Sequence, residues 1–112
     1  MSTRLPGAKY RQVFDRGRPQ RGRLLVAWRL SSNDADQKAG VVVSKKSFHD
    51  AVDRNRAKRL LREAYRLLVK EGSAPANTEW IFIGQAAMKG RTCSEVKEEM
   101  KCLMSRDSRQ RS

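Results

Sequence analysis

The 112-residue sequence has few of the side chains from which catalytic and metal sites are usually built. It contains one histidine, His49, and two cysteines, Cys93 and Cys102. A structural zinc ion usually takes four protein ligands, so a two-cysteine site would need partners that this chain hardly offers. We therefore expect no metal ligands and no catalytic residues in the protein. Both cysteines are interpreted as free thiols in a reducing compartment.

Long apolar segments are missing as well. No run approaches the roughly 20 apolar residues of a membrane-spanning helix, and residues 1–14 lack the apolar segment of a secretory signal. Aromatic residues make up 6% of the chain and the mean hydropathy is −0.76, which indicates a thin core under a large polar surface. We expect one small cytoplasmic domain over residues 1–105, followed by a disordered basic tail over 106–112.

Positive charge is what the sequence has in excess. Its 25 lysines and arginines stand against 12 acidic residues, which gives a net charge of +13 and a pI of about 10.7. Solubility does not require so much charge, so the composition points to nucleic acid or an anionic membrane surface as the partner. Residues 40–70 contain, in order, a short apolar run, a lysine pair and a strongly basic helix.

The helix predicted over residues 51–70 combines an apolar stripe with a basic surface. No glycine or proline interrupts it, and Asp50 is placed to cap its amino end with a side-chain hydrogen bond. Arg54, Lys58 and Arg62 are like charges at i,i+4 spacing, a destabilising arrangement that a bound polyanion would relieve. At about 100° per residue, one side of the helix collects the apolar residues that we expect in the core. These are Ala57, Leu60, Leu61, Ala64, Leu67 and Leu68.

Apolar periodicity and turn residues predict the remaining elements. Residues 16–22 form a basic loop or short edge strand, and residues 31–38 a polar turn that closes a hairpin. The continuous β-branched run over 39–44 predicts a central strand buried on both faces. This strand, the basic helix and a later strand make a βαβ unit with parallel strands. The other predicted elements are a helix over 8–16, strands over 23–30 and 79–84, and a final helix that follows a Thr92–Glu95 capping box.

The aromatic residues near the amino end allow two interpretations. Tyr10, Val13 and Phe14 share one face of the first predicted helix, and Trp28 lies in the first long strand. Periodicity alone favours plain core packing for these rings. The alternative is a platform on which unpaired bases stack.

Two motifs in the basic segment carry a family resemblance. Ser44, Lys45 and Lys46 follow a strand, and an Arg-Asn-Arg motif then continues along the helix as Lys-Arg-x-x-Arg-Glu. This pattern closely resembles the protein subunit of bacterial ribonuclease P, with weaker similarity over roughly residues 4–105. The matching helix positions are Arg54, Asn55, Arg56, Lys58, Arg59, Arg62 and Glu63.

The resemblance implies an α+β fold. Its element order is α-β-β-β-α-β-α, in a sandwich similar to the second domain of a small-subunit ribosomal protein. It also implies a left-handed βαβ crossover, whereas general rules favour a right-handed one.

The resemblance also implies a role in tRNA processing. The family's protein binds a large catalytic RNA, and the holoenzyme, an endoribonuclease, removes the 5′ leader from precursor tRNA. The RNA carries the chemistry with bound Mg²⁺, while the protein improves substrate binding and metal use. A cleft between the first helix and the sheet holds the leader, and Tyr10, Phe14 and Trp28 occupy its aromatic positions. The surface that lies against catalytic RNA comprises Lys45, Lys46, Arg54, Asn55, Arg56, Lys58, Arg59, Arg62 and Arg66.

The sequence departs from the family pattern at three places. The segment 47–53 is one residue longer than the corresponding loop of some members, which puts the local loop geometry in question. Gln85 stands where many members have a basic residue, so that contact is lost. Trp28 replaces a more usual tyrosine or phenylalanine, which retains stacking with a bulkier ring.

Three other classes of function compete with this interpretation. A nuclease that acts without RNA would need clustered carboxylates or a histidine pair, and the acidic residues here are scattered. A ribosome-associated RNA-binding module fits the charge equally well and is separated only by the motif. A membrane-surface protein would need a free apolar helix face, whereas the apolar stripe here is expected in the core.

Overall fold

Three helices pack around a four-stranded sheet in the computed structural model, which describes residues 5, 7–31, 38–75 and 77–110. The element order confirms the predicted α-β-β-β-α-β-α arrangement. A short 3₁₀ turn, Ala86–Met88, precedes the last helix. The elements are α1 (Gly7–Arg16), β1 (Arg18–Arg21), β2 (Leu25–Ser31), β3 (Lys38–Val43), α2 (Ala51–Lys70), β4 (Thr78–Gly84) and α3 (Cys93–Gln110).

The strand order, β1-β2-β4-β3, corrects two predictions. β2 pairs with β4, with Trp28 opposite Ile81, so β2 and β3 do not form the expected hairpin; residues 32–37 between them lie outside the described part. β3 lies at the sheet edge and pairs in parallel with β4, with Val41 opposite Phe82. The parallel pairing is confirmed, but the interior strands are β2 and β4, and the prediction that β3 is a central strand is wrong. The left hand of the β3–α2–β4 crossover stays a prediction.

The sheet separates two apolar clusters. α2 and α3 cover one face, where Trp80 and Phe82 stack with ring centroids 5.8 Å apart and Leu61 is fully buried. α1 covers the other face, where Val13 belongs to one buried apolar cluster with Leu5 and Ile81. The alternation of side chains along β4 thus directs aromatic residues toward one helix layer and isoleucines toward the other.

The apolar stripe of α2 faces the core as predicted, with one change in membership. Ala57, Leu61, Ala64 and Leu68 are buried, and Tyr65, which the stripe prediction leaves out, is buried with them. Leu60 and Leu67 are only half-buried.

The two predicted helix caps have different outcomes. At α3, the Thr92 N–H donates to Glu95 Oε1 over 3.1 Å and the Glu95 N–H donates to Thr92 Oγ1 over 3.3 Å, which confirms the capping box. At α2, Asp50 occupies the N-cap position but makes no side-chain cap hydrogen bond. α3 also continues to Gln110, whereas the sequence predicts a disordered tail from residue 106; residues 111 and 112 lie outside the described part.

Glu99 fastens α3 to the turn between β1 and β2. Its carboxylate accepts hydrogen bonds from the backbone N–H groups of Arg23, Leu24 and Leu25, at 3.2, 2.6 and 3.0 Å. Gly22 leaves room for this contact, because a Cβ there would lie 2.7 Å from Glu99 Oε2. A side chain 74 to 76 residues away in sequence therefore replaces strand partners for three N–H groups.

Glu71 links the end of α2 to α3. Its carboxylate lies 2.6 Å from Lys97 Nζ and 3.4 Å from Lys101 Nζ, and it accepts a hydrogen bond of 2.7 Å from Ser73 Oγ. Hydrogen bonds from Lys97 and Ser73 lower the pKa of Glu71 from 4.5 to about 2. The lysines also offset the unfavourable position of a negative charge at a helix carboxyl end.

Glu71→Gln should reduce the pH dependence of stability in the acid range. Because the pKa of Glu71 is lowered on folding, its contribution is fully present above about pH 4.5 and is lost as the pH falls toward 2. The free energy of unfolding of the wild type should therefore exceed that of the variant at pH 6, and this difference should be clearly smaller at pH 3. Urea unfolding at both pH values measures this. Glu98→Gln, at an exposed position of α3, is the control; a constant offset between wild type and Glu71→Gln would contradict the linkage.

Candidate nucleic-acid interface

A groove of about 520 Å³ runs between β3 and the basic side of α2. Ala39 and Val41 of β3 form its apolar wall. The side chains from α2 are mainly basic, and five of the predicted RNA-binding residues meet here. The lining residues from α2 are Asn55, Lys58, Arg59, Arg62, Glu63, Tyr65 and Arg66.

The charges of this groove are only partly balanced. Glu63 pairs with Arg66, whose Nε lies 3.3 Å from Glu63 Oε2, and this pair raises the pKa of Arg66. Within the described part of the chain, Lys58, Arg59 and Arg62 have no acidic side chain at ion-pair distance. Three unpaired cations therefore share one groove, which suits a ligand that carries several negative charges.

Other predicted RNA-binding residues lie outside the groove. Arg54 is half-buried, and its Nη1 donates to the carbonyl oxygens of Phe48 and His49 over 3.0 and 2.9 Å. This guanidinium therefore holds the loop before α2, a structural role that the sequence analysis does not anticipate. Arg56 lines a separate small hollow of about 40 Å³ with Lys89.

The lysine pair that follows β3 is exposed. Lys45 and Lys46 occupy the turn between Ser44 and the loop that leads into α2. The turn is closed by hydrogen bonds from the Ser47 N–H to Ser44 Oγ and from the Phe48 N–H to the Ser44 carbonyl oxygen, at 3.2 and 3.0 Å. The lysines are thus free to extend into solvent next to the amino end of α2.

Tyr65 lines the same groove, although the sequence analysis does not predict it as a site residue. Only 2% of the residue is exposed, and its hydroxyl has no hydrogen-bond partner in the structure. Burial raises the pKa of the hydroxyl, so the group is protonated at neutral pH. An unpaired buried hydroxyl costs about 1–3 kcal/mol. Its position four residues after Leu61 could have placed Tyr65 on the buried stripe.

The three predicted leader-binding aromatics come together where α1 meets the sheet. Phe14 and Trp28 form an edge-to-face pair, with ring centroids 5.3 Å apart and an interplanar angle of 82°. The Tyr10 ring lies over Gly40 of β3, where an added Cβ would overlap its hydroxyl. Tyr10 and Trp28 are half-buried and Phe14 is 36% exposed, whereas Val13 on the same helix face is fully buried. The helix face is therefore divided between core and accessible aromatic surface.

A glycine sets the approach of α1 to the sheet. The Gly17 N–H donates to the Val13 carbonyl oxygen over 2.7 Å at the end of the helix. A Cβ at Gly17 would overlap that oxygen and would lie 2.6 Å from the carbonyl oxygen of Arg29 in β2. The close contact needs glycine at this position and fixes where Phe14 stands relative to Trp28.

Neither a metal-binding group nor a membrane-spanning helix is present in the described part of the chain. No group of three histidine, cysteine, aspartate or glutamate side chains there could hold a metal ion. No helix in that part is both long and apolar enough to cross a membrane. The apolar stripe of α2 is buried against the sheet and so is not offered to a lipid surface.

Comparison with known families decides what kind of protein carries these two surfaces. The family model described as Ribonuclease P matches residues 5–107. The chain belongs to the ribonuclease P protein family. The ribonuclease P protein component of an Exiguobacterium species is 36% identical over 98 residues, which cover 88% of this chain and 82% of the relative. That of Clostridioides difficile is 32% identical over 97 residues, covering 87% and 83%.

Solved ribonuclease P proteins share the fold. The protein from Thermotoga maritima superposes with a TM-score of 0.79 at 22% identity, over 94% of this chain and 97% of that one. The protein from Staphylococcus aureus gives a TM-score of 0.76 at 22% identity, over 94% of each chain. The predicted α+β class is therefore confirmed, and the family places the chain in tRNA processing as an RNA-binding component of ribonuclease P.

Proposed function

We propose that this protein binds the catalytic RNA of ribonuclease P and the 5′ leader of precursor tRNA, and so assists removal of the leader in the cytoplasm. The RNA carries out the cleavage and holds the Mg²⁺ that the reaction needs, while the protein contributes no catalytic residue. The observation that carries the proposal is the convergence of Lys58, Arg59 and Arg62, without acidic partners among the described residues, on one groove of a ribonuclease P protein.

The charge and shape of the groove support contact with an RNA backbone. Arginine presents a planar fork of N–H donors that matches phosphate oxygens, and Arg59 and Arg62 are both exposed. Phosphate binding would also relieve the repulsion between cations one helical turn apart. Lys45 and Lys46 extend this surface beyond the amino end of α2, and Asn55 adds an amide that can pair with phosphate, sugar or base.

The aromatic cluster supports contact with an unpaired strand. Bases of any sequence can stack on an aromatic face, and leaders differ in sequence. Phe14 and Trp28 keep part of their rings accessible although they contact each other. This cluster lies on the α1 side of the sheet, whereas α2 covers the other side. The two proposed RNA contacts are therefore on separate surfaces and can be tested separately.

Arg59→Ala should weaken binding of a bacterial ribonuclease P RNA. Loss of one phosphate contact should lower the slope of log K against log salt by about 1 and the affinity several-fold at roughly 0.15 M salt. Binding isotherms at four salt concentrations give both quantities. Arg21→Ala removes the same charge from β1, the strand at the opposite edge of the sheet from β3. If both variants lost affinity equally, binding would depend on net charge and the groove would have no special part.

Phe14→Ala should weaken binding of precursor tRNA to the holoenzyme more than binding of mature tRNA. Loss of stacking with one base is worth about 1–3 kcal/mol, which should appear only when the leader is present. Phe14→Leu retains much of the apolar packing on Trp28 but removes the flat ring, so it should show a similar loss. An equal effect on precursor and mature tRNA, or full rescue by leucine, would return Phe14 to a packing role.

A further inference from the structure

We infer that the Tyr65 hydroxyl is a binding group of the β3–α2 groove and donates a hydrogen bond to a phosphate of the bound RNA. The inference rests on the proposed function and adds a residue that the Arg-Asn-Arg resemblance does not include. It starts from an exception to a general rule, since nearly all buried polar side-chain atoms in proteins have a partner. Among the described residues, the hydroxyl of Tyr65 is the one buried side-chain polar atom without a partner.

The hydroxyl is held in a defined position. The Tyr65 ring packs against Phe82, with centroids 5.5 Å apart, and the residue is the least exposed of those that line the groove. Little conformational freedom remains to be lost when a ligand meets the hydroxyl, which favours affinity and a fixed geometry. A phenylalanine would fill the same core position without an unpaired oxygen, so packing alone gives no reason for the hydroxyl.

The chemistry of the groove selects an anionic acceptor. Lys58, Arg59 and Arg62 can only donate hydrogen bonds, and the Tyr65 hydroxyl, protonated at neutral pH because burial raises its pKa, can donate as well. Glu63 also lines the groove, but its carboxylate is occupied by Arg66. A group that accepts from several donors at once and carries negative charge fits this set, and a phosphate does both.

The exposed basic side chains that line the groove can change rotamer without movement of the backbone. Arg59 and Arg62 are long, exposed side chains, and rotamer changes of such residues are common when a partner binds. In the unbound protein the Tyr65 hydroxyl is buried. A phosphate that enters the groove and draws these two arginines toward itself would also reach the Tyr65 hydroxyl, because Tyr65 lines the same groove.

Tyr65→Phe tests the inference with the smallest change available. Affinity for a bacterial ribonuclease P RNA, measured at 0.15 M salt without tRNA, should fall about 5- to 10-fold, equivalent to about 1.0–1.4 kcal/mol. The melting temperature of the free protein should stay the same or rise, because the unpaired buried oxygen is removed. Ser94→Ala removes an exposed hydroxyl from α3, outside this groove, and should leave the affinity unchanged.

The outcomes separate this inference from the proposed function. If Arg59→Ala weakens RNA binding and Tyr65→Phe does not, the groove binds RNA and the role of the hydroxyl is wrong. If neither variant affects binding, the proposed interface itself fails. A second titration uses inorganic phosphate and monitors the NMR signal of Tyr65 Cζ. It distinguishes binding of an RNA phosphate from binding of free phosphate. A Tyr65→Phe protein that keeps full RNA affinity overturns the inference even if free phosphate shifts that signal in the wild type.

Discussion

The burial of the apolar stripe of α2 against β4 is the interaction on which the rest of the molecule depends. Leu61, Tyr65 and Leu68 lie against the layer formed by Trp80 and Phe82. Each large side chain buried in this way contributes about 1.5–3 kcal/mol. A like-charge pair one turn apart on a helix opposes folding by only about 0.2–0.5 kcal/mol. The free energy of apolar burial therefore outweighs the charge repulsion, and it holds the arginines and lysines of α2 together on the side that faces away from the core.

The same packing explains how one small chain carries two distinct surfaces. β4 is apolar on both faces, so it can be covered by α2 and α3 on one side and by α1 on the other. The basic groove forms where α2 passes over the edge strand β3, and the aromatic cluster forms where α1 meets β2 and β3. Glu71 and Glu99 fix α3 to α2 and to the β1–β2 turn, which keeps this layer in register with the sheet.

Local patterns in the sequence predicted much of this fold. The 20-residue helix, the Thr92–Glu95 capping box and the parallel β3–β4 pair follow from periodicity, cap chemistry and the βαβ order. The strand order did not follow, because a continuous apolar run such as that of β3 looks the same at the edge of a sheet as at its centre. β3 is apolar because α2 covers it. Among the described strands its only neighbour is β4, which lies about 40 residues later in the sequence, so local patterns carry no information on the edge position of β3.

The candidate site was predictable in its charges and not in its contacts. The sequence placed Asn55, Lys58, Arg59, Arg62 and Arg66 on one helix, and the structure brings all five to one groove. The motif could not show that the Arg54 guanidinium donates to the carbonyl oxygens of Phe48 and His49, because that contact depends on the path of the loop before α2. The unpaired hydroxyl of Tyr65 was equally invisible, since a lack of partners is a property of the packed structure.

The most direct test of the account is cleavage of precursor tRNA at low magnesium by a bacterial ribonuclease P RNA, with and without this protein. The account predicts cleavage at the mature 5′ end only when RNA and protein are both present. Cleavage by the protein alone would contradict the claim that the RNA carries out the chemistry. Binding of the RNA without any gain in cleavage would contradict the claim that the protein assists the reaction.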